Sequence, residues 1–368
     1  MNTPKMNTPP IAAQPKGKAE RNSNLELLRI VSILLIVAMH VCGYAASKGD
    51  FSLGNTVVRY FIGSIGNLGV SCFVLISGYF GVKFSWRKLV YITLLTTVYA
   101  VLASFCNGGF TVNRDCIMQL TVVPRYFNWY ITCYIILMMV SGYLNRFCES
   151  LDRKSYRKLL LALFVTMSVL PMMVSATETV EIRSGQCLSY FIYAYLIGRY
   201  IRLHHDQTYP AWKPLLVVVG LVLSMWVFNV ATIYVPAIGQ IPITSNYSPT
   251  IIVASVASLY LFKSFTFRSR AVNYISASVL AIYLLDWLKP TIDRYIEVYK
   301  HTQEADLVLY LLMEVSAIAL VAITIDKFRI HLLAKPEAWV TSKLVSVCEK
   351  MNATINKIIL SCHLKFQY

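Results

Sequence analysis

Between residues 25 and 326 the chain is a succession of apolar runs of near-membrane length, separated by short polar breaks. A helix of about 20 residues is long enough to cross the hydrocarbon core of a bilayer. Over the whole chain 57% of residues are hydrophobic and 14% are charged, where a soluble domain carries about 25% charged residues. A soluble core cannot bury so many helices that are apolar all round. The sequence therefore predicts an all-α, polytopic membrane bundle of about ten transmembrane helices with both termini in the cytoplasm.

The expected spans are 25–45, 60–81, 89–106, 127–144, 158–175, 187–203, 213–233, 248–267, 272–288 and 306–326. Loop charge tests that count. One set of alternate loops holds Lys16, Lys18 and Arg21, then Lys83, Arg87 and Lys88, then Arg146, Arg153, Lys154, Arg157 and Lys158. It continues with Arg199, Arg202 and Lys213, then Lys263, Arg268 and Arg270. The opposite set holds only Lys48, Arg59, Arg114, Arg125, Arg183, Lys289, Arg294 and Lys300. Basic residues favour the cytoplasmic side, and an error of one span would invert the alternation from that point onward.

Flanking the membrane domain (25–326), residues 1–24 are rich in Pro, Asn and Lys. They are expected to form a disordered cytoplasmic tail without the apolar region of a cleavable signal peptide. Residues 327–368 form a basic, amphipathic cytoplasmic tail. There Val340, Leu344, Val347, Met351, Ile355 and Ile358 share one helical face, with Lys343, Lys350 and Lys357 elsewhere. That stripe suits either a helix lying on the inner leaflet or one packed on the protein's own loops. The net charge of +16 belongs to membrane topology, and no nucleic-acid module signature accompanies it. The nine cysteines are scattered without a CxxC pair. They read as small buried residues, and no metal site is expected.

An ionisable group inside the bilayer is costly, so each one is a functional candidate. Of six histidines only His40 falls inside an apolar span. Arg29 precedes it by 11 residues, about three helical turns and about 16 Å along the axis, so the two share a face. That face offers a cation at the inner mouth and a titratable base beyond the midplane. A bland reading competes, because Glu26 can form an i,i+3 ion pair with Arg29 and a lone histidine can simply bond a neighbouring helix.

The first span resembles the opening helix of the acyltransferase-3 family of integral membrane acyltransferases, which share an Arg, ten intervening residues and a His. Arg29 and His40 match that spacing, and Glu26 falls where the family usually has an acidic residue. The resemblance continues through Gly66-Asn-Leu-Gly-Val-Ser-Cys-Phe-Val-Leu-Ile-Ser-Gly-Tyr-Phe and the basic loop from Lys83 to Lys88. It extends to Asn128-Trp-Tyr-Ile, Tyr195-Leu-Ile-Gly-Arg-Tyr-Ile and Ala281-Ile-Tyr-Leu-Leu. Two positions depart from it: Asp286 stands where many relatives have a His, and Ser141-Gly142 where many have a Pro near the end of span four.

The resemblance implies transfer of an acyl group, commonly acetyl from acetyl-CoA, to a sugar hydroxyl of a cell-envelope or exported glycan. It further implies a bacterial inner (cytoplasmic) membrane location. Acyl-CoA would be a co-substrate rather than a permanently bound cofactor, and the partners would be that donor, a glycan or lipid-linked saccharide acceptor and the bilayer. Arg29 with Lys83, Arg87 and Lys88 could hold the donor's phosphates, although topology alone accounts for the lysines. His40 would act as general base or as a covalent acyl relay. Either Asp286 or Glu314, both in the same half of the bilayer as His40, could orient it. Trp129, Tyr130, Tyr283 and Trp287 could stack on a sugar or form an aromatic belt. Asn67 and Ser71 share a face and could line the path or join helices. The main rival is a transporter or flippase for a lipid-linked or exported glycan, which predicts an internal repeat and discontinuous helices.

Overall fold

In the computed structural model, residues 22–106, 129–174, 185–286 and 289–365 are described. Helix α1 spans Ser23–Ala46, α2 Leu53–Phe80, α3 Trp86–Cys106 and α4 Trp129–Ser150. Helix α5 (Arg153–Phe164) continues through a π-helical turn, Val165–Val169, into α6 (Leu170–Val174). Then come α7 (Leu188–His204), α8 (Trp212–Tyr234), α9 (Pro249–Lys263), α10 (Arg270–Ser276), α11 (Val279–Leu285), α12 (Lys289–Tyr299) and α13 (Leu307–Lys365). Every predicted apolar run coincides with helix, because in lipid the backbone must satisfy its own hydrogen bonds. Among the described residues, six helices are long and apolar enough to cross a membrane, namely Ser23–Ala46, Leu53–Phe80, Trp129–Ser150, Arg153–Met173, Trp212–Tyr234 and Leu307–Ile358.

Four features differ from expectation. Helix α2 starts at Leu53 rather than residue 60, because Ser52 accepts a hydrogen bond from the Asn55 N–H and caps it. The predicted span 272–288 is broken at Ala277-Ser278 into α10 and α11, in a serine-flanked stretch where Ser276 Oγ bonds back to the Asn273 carbonyl. Such back-bonding competes with the helical ladder and bends helices. The stretch after it, read as a loop, contains α12. The last helix runs without interruption from Leu307 to Lys365, through Pro336. On it Leu344, Val347, Met351, Ile355 and Ile358 are exposed.

Helices α1 and α2 form the centre. Helix α2 touches α1, α7, α8 and α9, while α1 also meets α10 to α13. With no hydrophobic force between helices in lipid, close approach and van der Waals contact hold them, which favours small residues. A Cβ added at Gly69 would lie 2.4 Å from the Ser32 carbonyl oxygen on α1. One added at Gly78 would lie 2.2 Å from the Tyr195 oxygen, and one at Gly198 would lie 2.2 Å from the Leu75 oxygen. The α2–α7 crossing is thus a mutual glycine contact against rigid backbone. Gly198→Ala is expected to destabilise the fold by about 1–3 kcal/mol, visible as a lower melting temperature of the detergent-solubilised protein. An unchanged melting temperature would refute that contact.

At one end of the bundle Asp206 ties three helices. It accepts from Lys263 Nζ at 2.5 Å on α9 and from Tyr79 Oη at 2.8 Å on α2, and it pairs with Arg202 on α7. Burial opposes its ionisation, but the bonds from Lys263 and Tyr79 and the charges of Lys263 and Arg202 outweigh that and hold its carboxyl below the ordinary range.

Candidate active site

A cavity of about 620 Å³ opens beside α1 and is lined along its length by Arg29, Ile33, Ile36, Met39 and His40. The 11-residue interval places Arg29 and His40, at its two ends, about 16 Å apart along that helix. Helix α2 contributes Asn67, Phe73 and Ser77, and α4 contributes Trp129, Tyr130 and Tyr134. The α10–α11 break supplies Ser276 and Ala277, and Tyr283 comes from α11. The volume is that of a small-molecule site, mostly apolar with a few polar groups.

Asp286, at the end of α11, holds His40. Its Oδ2 lies 2.5 Å from His40 Nδ1, and its Oδ1 accepts a hydrogen bond from the Tyr295 hydroxyl of α12. The Asp286 side chain is 1% exposed and that of His40 is 20% exposed. A buried carboxylate is tolerable only with its lone pairs satisfied, and here both oxygens are engaged. A carboxylate oxygen accepts from Nδ1–H and so selects the tautomer protonated there, which makes Nε2 the basic nitrogen of the imidazole. An acid that orients and charges a histidine in this way prepares it to take a proton or to attack a carbonyl.

The two carboxylates left open by the sequence are thereby separated. Glu314 is 4% exposed at its side chain and forms a bidentate pair with Arg294, with Nε to Oε2 at 2.8 Å and Nη2 to Oε1. That pairing neutralises it away from His40, because Arg294 arrives from α12, an element not anticipated in the sequence. Glu26 binds Arg29 at 2.6 Å. It stands 14 residues before His40, about 21 Å along α1, and therefore cannot act on the imidazole directly.

The basic loop is also distributed differently. Lys83 is exposed and does not line this cavity, whereas Arg87 and Lys88 line a separate crevice of about 450 Å³ against Glu337 and Thr341 of α13. Among the predicted donor-binding cations, Arg29 alone reaches the His40 cavity. The aromatic residues Trp129, Tyr130 and Tyr283 do line it. Tyr130 packs on Tyr283 at 5.7 Å and edge-on to Phe73 at 6.2 Å between ring centroids, forming a continuous aromatic wall. Trp287 and Asn128 lie outside the described residues.

Asn67 lines the cavity and donates from Nδ2 to the Thr244 carbonyl at 2.6 Å. Its neighbour Ser71 instead joins helices, its Oγ 2.5 Å from Tyr190 Oη. Gln186 and Asn246 also face the cavity, and the buried Asn246 Oδ1 has no hydrogen-bond partner among the described residues. No span or periodicity marks these two, which sit on connections between helices. Tyr295 was equally hidden within the stretch taken as a loop. The His301, Glu304 and Asp306 side chains converge within 4.8 Å of one another, but none of them lines the cavity.

The chain matches no curated relative and no solved structure. The family model described as an acyltransferase domain, that of the acyltransferase-3 family, matches residues 22–325, from the start of α1 into α13. This protein, with its apolar, membrane-length helices, therefore belongs to the acyltransferase-3 family.

Proposed function

We propose that the protein moves an acyl group, acetyl from acetyl-CoA in the simplest case, onto a sugar hydroxyl of a cell-envelope or exported glycan. The observation that carries this reading is a single cavity with a guanidinium at one end and a carboxylate-held imidazole at the other. The charge alternation supports ten crossings of a bacterial inner membrane with both termini in the cytoplasm. Arg29 then faces the compartment where the polyanionic donor is found, and His40 sits toward the opposite side.

In the direct route, His40 Nε2 takes the proton of the acceptor hydroxyl as its oxygen attacks the thioester carbonyl. The carbon–sulfur bond breaks, and the imidazolium returns the proton to the departing coenzyme A thiolate. In the relay route Nε2 attacks the carbonyl and the carbon–sulfur bond breaks, giving an acyl-imidazolium and coenzyme A thiolate. The sugar oxygen then attacks the acyl carbon, the carbon–nitrogen bond breaks to restore the imidazole, and the hydroxyl proton balances the thiolate as free thiol. Asp286 stabilises the cationic imidazole in both routes. The aromatic wall of Tyr130 and Tyr283 supplies a surface on which a pyranose ring can lie.

Arg29→Ala is expected to raise the KM for acyl-CoA. A charge-assisted hydrogen bond is worth about 1.5–3 kcal/mol, so the increase should be about 10- to 100-fold. Steady-state kinetics in detergent with varied acyl-CoA would show it, and an unchanged KM would remove Arg29 from donor binding.

Radiolabelled acetyl-CoA supplied to the purified protein with a glycan decides the class of activity. Label bound covalently to the glycan is expected. A transporter or flippase, the competing reading, would leave none, and glycan composition with and without the gene would then be unaltered in acyl content.

A further inference from the structure

Helix α5 opens with Arg-Lys-Ser-Tyr-Arg-Lys before its apolar part begins. Lys154, Arg157 and Lys158 stand at i, i+3 and i+4, so three like charges share one face, an arrangement that opposes the helix unless an anion is near. All three are exposed, and none has a carboxylate partner among the described residues. The acids nearest in sequence are engaged. Asp152 accepts from the backbone N–H groups of Lys154 and Ser155, and Glu149 pairs with Arg199 at 2.6 Å.

Directly beneath these cations lies a crevice of about 690 Å³ between α5, α7 and α9. Its deeper walls are apolar and include Phe164, Ile252 and Val256. Tyr156 Oη of α5 donates to the Leu196 carbonyl at 2.8 Å, and Leu163 and Phe164 on its inner face pack against the α4–α7 core. Leu161, Val165, Leu170 and Met173 are exposed. Topology accounts for positive charge at a helix end. It does not account for an apolar slot opening beneath that charge.

We propose that this crevice binds one anionic phospholipid, its phosphate held by Lys154, Arg157 and Lys158 and an acyl chain lying against Phe164, Ile252 and Val256. A basic mouth over an apolar slot between membrane helices is complementary to a lipid that carries both features. The site shares no lining residue with the His40 cavity, so it stands independently of the acyl-transfer reading.

Native mass spectrometry of the full-length protein, delipidated and then given phosphatidylglycerol or phosphatidylcholine, tests this. One phosphatidylglycerol should be retained in preference to phosphatidylcholine. The combined Lys154→Gln, Arg157→Gln and Lys158→Gln variant should retain it on the order of a hundredfold less tightly, at about 1 kcal/mol per basic residue near a membrane surface. Removing the same charge from α13, by Lys343→Gln, Lys350→Gln and Lys357→Gln, should leave retention unchanged. Val253→Trp, which lines the same crevice and keeps every cation, should weaken retention by filling the slot. That variant carries the test if the triple variant does not fold. Equal retention of the two lipids, equal loss from the two triple variants, unaltered retention by Val253→Trp, or full displacement by glycerol 3-phosphate would each overturn the proposal.

Discussion

His40→Ala should lower acyl transfer by at least about a hundredfold and up to about ten-thousandfold, the range that general base catalysis supplies. If the imidazole carries the acyl group covalently, the loss should be complete within the sensitivity of the assay. The expectation rests on position. His40 lines the cavity, and its Nδ1 is held by the buried Asp286 carboxylate. Alanine removes the ring without disturbing the neighbouring α1 core residues Val37 and Val41, which are fully buried. Loss of the Nδ1 partner also leaves the buried Asp286 carboxylate under-satisfied, so a lower melting temperature is expected and the rates are compared where both proteins are folded. A variant with near wild-type turnover would mean that the base lies elsewhere.

Asp286→Asn should cost about a hundredfold to ten-thousandfold in kcat while leaving the donor KM nearly unaltered. The argument depends on both oxygens being occupied. Asn has one acceptor oxygen and one donor nitrogen. The Tyr295 hydroxyl and His40 Nδ1 both approach as donors, so the amide can satisfy only one of them. With its oxygen toward Tyr295, its NH₂ faces Nδ1 and drives the imidazole proton to Nε2, which removes the base. Adding Tyr295→Phe frees the amide oxygen to face His40, so the double variant should recover part of the lost rate. Loss without any recovery would indicate that charge at position 286, rather than the tautomer it selects, governs the rate.

The sequence exposed the parts of this site that depend on one helix. The Arg29–His40 interval needs only 3.6 residues per turn to put both groups on one face, and both line the same cavity. The choice between Asp286 and Glu314 depends on tertiary placement. In the fold Arg294 pairs with Glu314, while Tyr295 bonds the Asp286 carboxylate that contacts His40. Both come from α12, whose polar, amphipathic sequence Lys-Pro-Thr-Ile-Asp-Arg-Tyr-Ile-Glu-Val-Tyr is indistinguishable from a loop when the search is for apolar runs. Lys83, Arg87 and Lys88 were grouped by closeness in sequence, yet α3 turns Arg87 and Lys88 toward α13. Gln186 and Asn246 reach the cavity from connections, where no periodicity exists to read. The break at Ala277-Ser278 was likewise hidden inside an unbroken apolar run.

Single-turnover transfer from radiolabelled acetyl-CoA to a purified envelope polysaccharide, followed by rapid quench, puts the wild type, His40→Ala and Asp286→Asn side by side. The account predicts rapid labelling by the wild type, slow labelling by Asp286→Asn and little or none by His40→Ala, with all three proteins equally folded. Comparable labelling rates for the wild type and His40→Ala would contradict it.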